Sequence, residues 1–207
     1  CDPEAMTQDG LPLATLARRY GLPEVAALLG GKSAMAPADR FLAACARGDE
    51  AEAGALLAQE PGLIDGRAEA DLRMLPELAA AGVTEAVRLM VALGWPIETR
   101  GGDWWASALN HAVFRGDAEL TAFLLAMGAS WRSGHGMGDN VLGTLGWASQ
   151  NRPEPAGDWV GCARALLAHG LPAVTRHPEM PQQVLIEGQG RVFSEEVTAI
   201  LLGDQAE

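Results

Sequence analysis

Basic residues are scarce in this chain: Lys and Arg together number 15 against 27 Asp and Glu, for a formal net charge of -12 over 207 residues. No run of Lys or Arg offsets that deficit. The composition therefore repels a phosphate backbone or an anionic lipid surface and argues against nucleic acid and membrane as partners. Long apolar runs are missing too, because charges or glycines interrupt every candidate, residues 120–127 among them, well short of the roughly 18 residues of a membrane span. Cysteine is sparse. Cys1, Cys45 and Cys162 are too few and too scattered for a disulfide framework and show no Cys-x-x-Cys metal spacing, so a reducing cytoplasm is the expected compartment. Aromatic residues make up only 5% of the chain, whereas the hydrophobic total is 48% and is dominated by Ala and Leu. That balance favours helices packed through small side chains over a β-rich fold, in a chain long enough for a large core.

What is present is a recurrence. In residues 105–132, Leu109, Ala112 and Val113 make one short apolar face, and Leu120, Phe123, Leu124 and Leu125 make a longer one beyond a break at Gly116-Asp117. The pattern predicts two helices and a turn. Neither helix can bury its apolar face alone, so the unit needs copies of itself on both sides. The turn glycines Gly48, Gly82 and Gly116 follow one another at 34 residues, while Gly21 to Gly48 is only 27. The closing glycines Gly94, Gly128, Gly170 and Gly203 fall at intervals of 34, 42 and 33, which places an insertion in the fifth unit.

The unit resembles an ankyrin repeat. Ser107-Ala108-Leu109-Asn110-His111-Ala112 stands where that family has Thr-Pro-Leu-His-x-Ala, followed by Gly116, by Glu119-Leu120 of the second helix and by the Leu124-Leu125-x-x-Gly128-Ala129 close. The resemblance implies an all-α solenoid of stacked helix-turn-helix units with short hairpin loops on one edge. One domain would span residues 1–207, with units near 1–36, 37–68, 69–101, 102–135, 136–175 and 176–207. It also implies that Cys1-Asp2-Pro3-Glu4-Ala5 is a junction between repeats, so that the chain begins mid-repeat; a lipidated Cys1 is the rival reading of the same residues.

Several features invite sharper readings. Gly30-Gly31-Lys32-Ser33 suggests a phosphate loop, but it follows a helix rather than a strand and has Ala26 where the first glycine belongs, so a helix C-cap and linker is expected. Asp39 is expected to cap a helix over residues 40–47. The second unit ends in Gln59-Glu60-Pro61-Gly62-Leu63-Ile64, which predicts an irregular connection. The last unit should be a degenerate cap, with weak first-helix signals around residues 184–186 and with Ser194 as N-cap of its second helix. Enlarged loops are expected at residues 133–140 and 149–157, and insertions in repeat arrays collect where loops face solvent.

Signs of chemistry are thin. His111, His135, His169 and His177 form no pair at helical metal-ligand spacing; His111 should satisfy a hydrogen bond at the base of the hairpin, and only His135, with Asp139 nearby, could hold a metal. No nucleophile elbow is present, and Cys45 and Cys162 fall on expected inward faces as small core residues. No catalytic residue, metal or cofactor is therefore assigned. The six tryptophans all lie between residues 95 and 159. Trp131 and Trp147 occupy expected inward positions. Trp104 and Trp105 sit at the hairpin, either as exposed binding anchors or folded back beneath it.

The function implied is that of a protein-protein interaction module, not an enzyme, acting as a monomer on a protein partner through its concave face and hairpin tips. The resemblance places the partner-facing positions near each tip and in the last turn of each first helix: Tyr20, Arg47, Arg100, Asp103, Trp104, Phe114, Arg115, Asp139, Asn140, Gln150 and Asn151, with Trp105 added on its own argument. Two alternatives are an auxiliary regulatory domain of a longer polypeptide and a metal-dependent enzyme using His135 and Asp139.

Overall fold

A computed structural model describes residues 5–7, 10–30 and 34–203. Cys1 to Glu4 lie outside the described residues, as do Gly31, Lys32 and Ser33, so neither the repeat-junction reading nor the linker reading extends to them.

The chain divides into two compact units, residues 1–74 with 83–95, and residues 75–82 with 96–207. In the first, α1 (Leu13–Arg19) and α2 (Pro23–Leu28) form one helix pair, and α3 (Pro37–Ala46) and α4 (Glu50–Gln59) the next. Pro23 opens α2 at its first turn, where the missing N–H costs nothing. Gly48 turns left-handed at φ 67°, and Asp49 then caps α4 by accepting the Glu52 amide. The irregular connection expected after α4 is a 3-10 turn over Pro61–Leu63 followed by the short α5 (Glu69–Leu72).

One expectation fails here. Asp39 is not a cap: α3 starts earlier, at Pro37, with Ala36 before it, and the Asp39 carboxylate accepts from the Arg19 guanidinium at 2.6 Å. Proline at the first helical position sets the start two residues ahead of the acid. Phe41, fully buried, stacks on Trp95 at 6.2 Å and lies under the Arg67 guanidinium at 5.5 Å, while the Trp95 indole N–H donates to the Leu72 carbonyl at 3.1 Å. These contacts give the first unit an aromatic centre among small side chains.

α6 (Met74–Ala81) runs into the second unit, whereas α7 (Thr84–Ala92) belongs to the first. A two-residue hairpin, β1 (Arg100–Gly101) with β2 (Ala106–Ser107), leads into α8 (Ala108–Arg115) and α9 (Ala118–Ala126). Then come α10 (Val141–Asn151) and α11 (Trp159–Ala168). Helix α10 runs to Asn151, so the enlarged turn expected from Ser149 begins later. α10 packs on α8, and α11 on α9.

At the junction of these pairs Gly116 has φ 69°, and a Cβ there would lie 2.6 Å from the Gly157 Cα; only glycine lets the Asp158 amide reach the Gly116 carbonyl at 2.8 Å. A buried polar chain ties the loops together. The Asn110 amide nitrogen donates to Ser107 Oγ and to the Ser133 carbonyl, each at 3.1 Å, and Asn110 Oδ1 accepts from Thr144 Oγ1 at 2.8 Å.

The all-α expectation needs correction at the end of the chain. In place of a first helix around residues 184–186 stands a three-stranded antiparallel sheet, β3 (Val174–Arg176), β4 (Val184–Ile186) and β5 (Gln189–Arg191), in that order. Val184 and Ile186 point into the core while Leu185 is half-buried, a period of two. Glu187 and Gly188 both have positive φ, 52° and 78°, as a two-residue hairpin turn requires. α12 (Glu195–Leu202) follows, and Ser194 caps it through the Val197 amide as expected. A Cβ on Gly146 would sit 2.7 Å from the Val192 carbonyl, so the bare backbone of α10 is what lets the chain after β5 lie against it.

Candidate functional site

The turn between β1 and β2 carries Trp104 to α8, where five aromatic rings form a cluster. Trp104 packs its ring on His111 at 4.9 Å, on Phe114 at 5.7 Å and on His135 at 5.0 Å. Phe114 then stacks nearly parallel on Trp147, with an interplanar angle of 8° and centroids 5.4 Å apart. Phe114 and Trp147 are 33 residues apart, one repeat period, which puts them at matching positions of α8 and α10.

Trp104, Phe114, His135 and Trp147, together with Asp103, Met137 and Asp139, line a groove of about 630 Å³. That volume lies within the range of ligand-binding clefts. A second hollow of about 380 Å³ shares Asp103, Trp104 and Phe114 with the first and includes Glu77, His111, Arg115 and Glu154 in its lining.

Burial disfavours the charged form of both histidines here. Burial lowers the His111 pKa, against the hydrogen bond its Nε2 makes to the Gly101 carbonyl at 3.3 Å and the charge of Asp103. That is the hydrogen bond expected of it at the base of the hairpin. Burial likewise lowers the pKa of His135, opposed by Asp139 and the Asn140 backbone and assisted by Arg100. Its Nδ1 accepts the Met137 amide at 3.3 Å. For Asp139, burial works to raise the pKa, but hydrogen bonds from Arg191 and the Asn140 amide, with the charges of Arg191 and His135, outweigh it and hold the carboxyl below its usual range. Arg191 Nη1 reaches both carboxylate oxygens, at 2.7 and 2.6 Å. Asp139 and His135 Nδ1 are thus engaged by the protein, whereas His135 Nε2 is buried without a hydrogen-bond partner, and no group of three potential metal ligands exists among the described residues.

The residues expected to face a partner fall into distinct situations. Tyr20 and Arg47 belong to the first unit, Tyr20 half-buried at the C-terminus of α1 and Arg47 exposed and paired with Glu52 at 2.9 Å. Arg100, Asp103 and Trp105 are exposed along the β1–β2 hairpin of the second unit, with Trp105 left-handed at φ 52°. Trp104 and Phe114 are half-buried in the aromatic cluster. Arg115 is a staple: its Nη1 donates to the Ala80 carbonyl at 3.3 Å and to Glu154 at 2.8 Å. Asn140 caps α10 through the Leu142 amide. Gln150 donates to the Gly146 and Val192 carbonyls, and Asn151 to the Trp147 carbonyl, so both serve α10 itself.

Two surface residues were not anticipated. Trp147, expected inside, is 52% exposed, and Met137 is 77% exposed. The helical pattern of α10 set Trp147 on an inward stripe, yet Leu142, Leu145 and Ala148 fill the core and turn its ring to the side that carries Phe114. The repeat-period match with Phe114 was the available signal. Trp131, in contrast, is buried as expected, with the Arg132 guanidinium 4.0 Å above its ring.

No protein-family model matches the chain. No curated protein matches it significantly in sequence. Among solved structures it is similar to the ankyrin repeat domain of human ASB11, at a TM-score of 0.56 and 17% identity, over 100% of this chain and 89% of that one. At that identity the likeness speaks to architecture, and the architecture is the ankyrin-repeat fold.

Proposed function

We propose that this chain is a protein-binding module whose second unit grips a protein partner at the β1–β2 hairpin and the aromatic groove beside it. The observation that carries the reading is the pairing of Trp147, 52% exposed, with a groove walled by Trp104 and Phe114. A large aromatic held half in water by rigid helices gains most when a partner covers it, which is why Trp and Arg dominate binding energies at interfaces. The ankyrin-repeat fold, generally a scaffold for protein-protein interaction, supports the same reading. Asp103 and Trp105, exposed at the hairpin tip, extend the surface, while Arg115, Gln150 and Asn151 contribute by holding it in shape. The hairpin tips and concave face of the repeats are the working surface in this proposal. The protein works as a monomer in a reducing compartment, and it binds rather than catalyses.

The test is affinity capture from the source cells with the wild-type chain and with Trp147→Ala, followed by calorimetry on each purified partner that the variant loses. Truncating a central aromatic should weaken binding by on the order of 2 kcal/mol, whereas Arg164→Ala, on the exposed side of α11, should change little. A partner that binds wild-type and Trp147→Ala equally would place the site elsewhere.

A further inference from the structure

The groove beside Trp104 has a chemistry that selects among partner side chains. Its walls are aromatic, its rim is acidic, and no Lys or Arg lines it. Of its two carboxylates, Asp139 already holds Arg191. Asp103 is exposed at the hairpin tip and has no salt-bridge partner among the described residues. The adjoining hollow brings Glu77 and Glu154 to the same border, with Arg115 bound to Glu154. A carboxylate brought here would meet like charge at close range, and an aliphatic anchor would strip water from Asp103 without replacing it. A cation is drawn to Asp103 instead, against the charges of Arg100 near His135 and of Arg191, which Asp139 already offsets. Indole faces in this protein also accept guanidinium groups, as Arg132 shows over Trp131.

Resting on the protein-binding reading above, we propose that the groove between Trp104, Phe114 and Trp147 receives a Lys or Arg side chain of the partner, with its alkyl stem along the aromatic wall and its charged head at Asp103. Aromatic rings attract a cation through their negative faces, and long basic side chains bury their stems while keeping the head at a polar rim. Met137, exposed beside the groove, is flexible enough to close over the stem. The overall charge of -12 acts in the same direction at longer range by accelerating encounter with a basic partner.

The experiment uses the full chain and acetylated pentapeptide amides Gly-Ala-X-Ala-Gly, with X as Arg, Lys, citrulline or Leu, titrated while the indole N–H signals are followed by NMR. The Arg or Lys peptide should move the Trp104 and Trp147 signals and bind about tenfold more tightly than the citrulline and Leu peptides, and Asp103→Asn should abolish that preference. Whichever of Arg and Lys binds better identifies the head group. Citrulline or Leu binding as tightly as the charged residues, or no movement of the Trp104 and Trp147 signals, would overturn the assignment. A purified partner that is weakened by Trp147→Ala and unaffected by Asp103→Asn would sink the cation assignment and leave the protein-binding reading standing. A partner indifferent to both variants would place the binding site outside the groove and overturn the cation assignment with it.

Discussion

Thr144 Oγ1 donates to Asn110 Oδ1 at 2.8 Å, joining two helices at positions 34 residues apart in sequence. Asn110 is fully buried, and its amide nitrogen serves Ser107 and the Ser133 carbonyl as well. Asn110→Ala would take a partner from Thr144, Ser107 and the Ser133 carbonyl, at about 1–3 kcal/mol for each buried group left unsatisfied. Chemical denaturation should show a loss of about 3 kcal/mol for Asn110→Ala, and a smaller one for Thr144→Val, which removes one donor. Equal, negligible losses would mean that water takes over these bonds.

The two tryptophans expected inside should now separate in stability. Trp131 is 6% exposed and Trp147 is 52% exposed. Trp131→Ala should cost about 3–5 kcal/mol through the cavity it leaves. Trp147→Ala, losing chiefly the stack on Phe114, should cost about 1 kcal/mol. Denaturant midpoints of the two variants decide it, and a larger loss at Trp147 would assign that ring to the scaffold.

Cys45 and Cys162 are fully buried free thiols, and burial pushes each pKa up to about 12 from 9.0. A thiol reagent at pH 8, with the modified sites mapped by mass spectrometry, should reach neither residue until the protein unfolds. The same shift fixes a pH dependence. The folded thiols stay protonated above the value at which the unfolded ones ionise, so their contribution is complete below pH 9.0 and declines as pH rises toward about 12. Cys45→Ala with Cys162→Ala should flatten the alkaline limb of the stability profile.

His111 and His135 give the opposite limb. Burial lowers both pKa values from 6.5, so the unfolded chain takes up protons first as the pH falls. Their contribution is complete above pH 6.5 and is lost progressively below it, as the unfolded chain becomes the stronger proton binder. Comparing wild type with His111→Gln between about pH 7 and 5 should show a shallower decline in the variant. An unchanged slope would locate the acid sensitivity in other groups. Protonated His135, facing Asp139, Arg100 and the Trp104 ring, would also bring positive charge to the groove, so capture of a basic peptide should weaken once the pH falls below the usual histidine value of 6.5.

The repeat was legible in the sequence because its signals are local. A glycine that must turn left-handed, an Asp that caps the next helix and a stripe of Leu and Ala each act within a few residues of themselves, as Gly116, Asp117 and Leu120 do in succession. The buried Cys45 and Cys162 and the hydrogen bond of His111 followed from the same pattern. Even the terminal sheet had a local signal, Glu187-Gly188 between two short strands, outweighed by the expectation of one more helix. The surface chemistry was decided by tertiary structure alone. Whether Asp139 is free depends on Arg191, 52 residues away. Whether Trp147 packs inward depends on Leu145 filling the core and on Phe114 offering a ring one repeat earlier. Helical periodicity orients a side chain about its own axis, but the neighbour that covers or charges a face is set by contacts between distant segments.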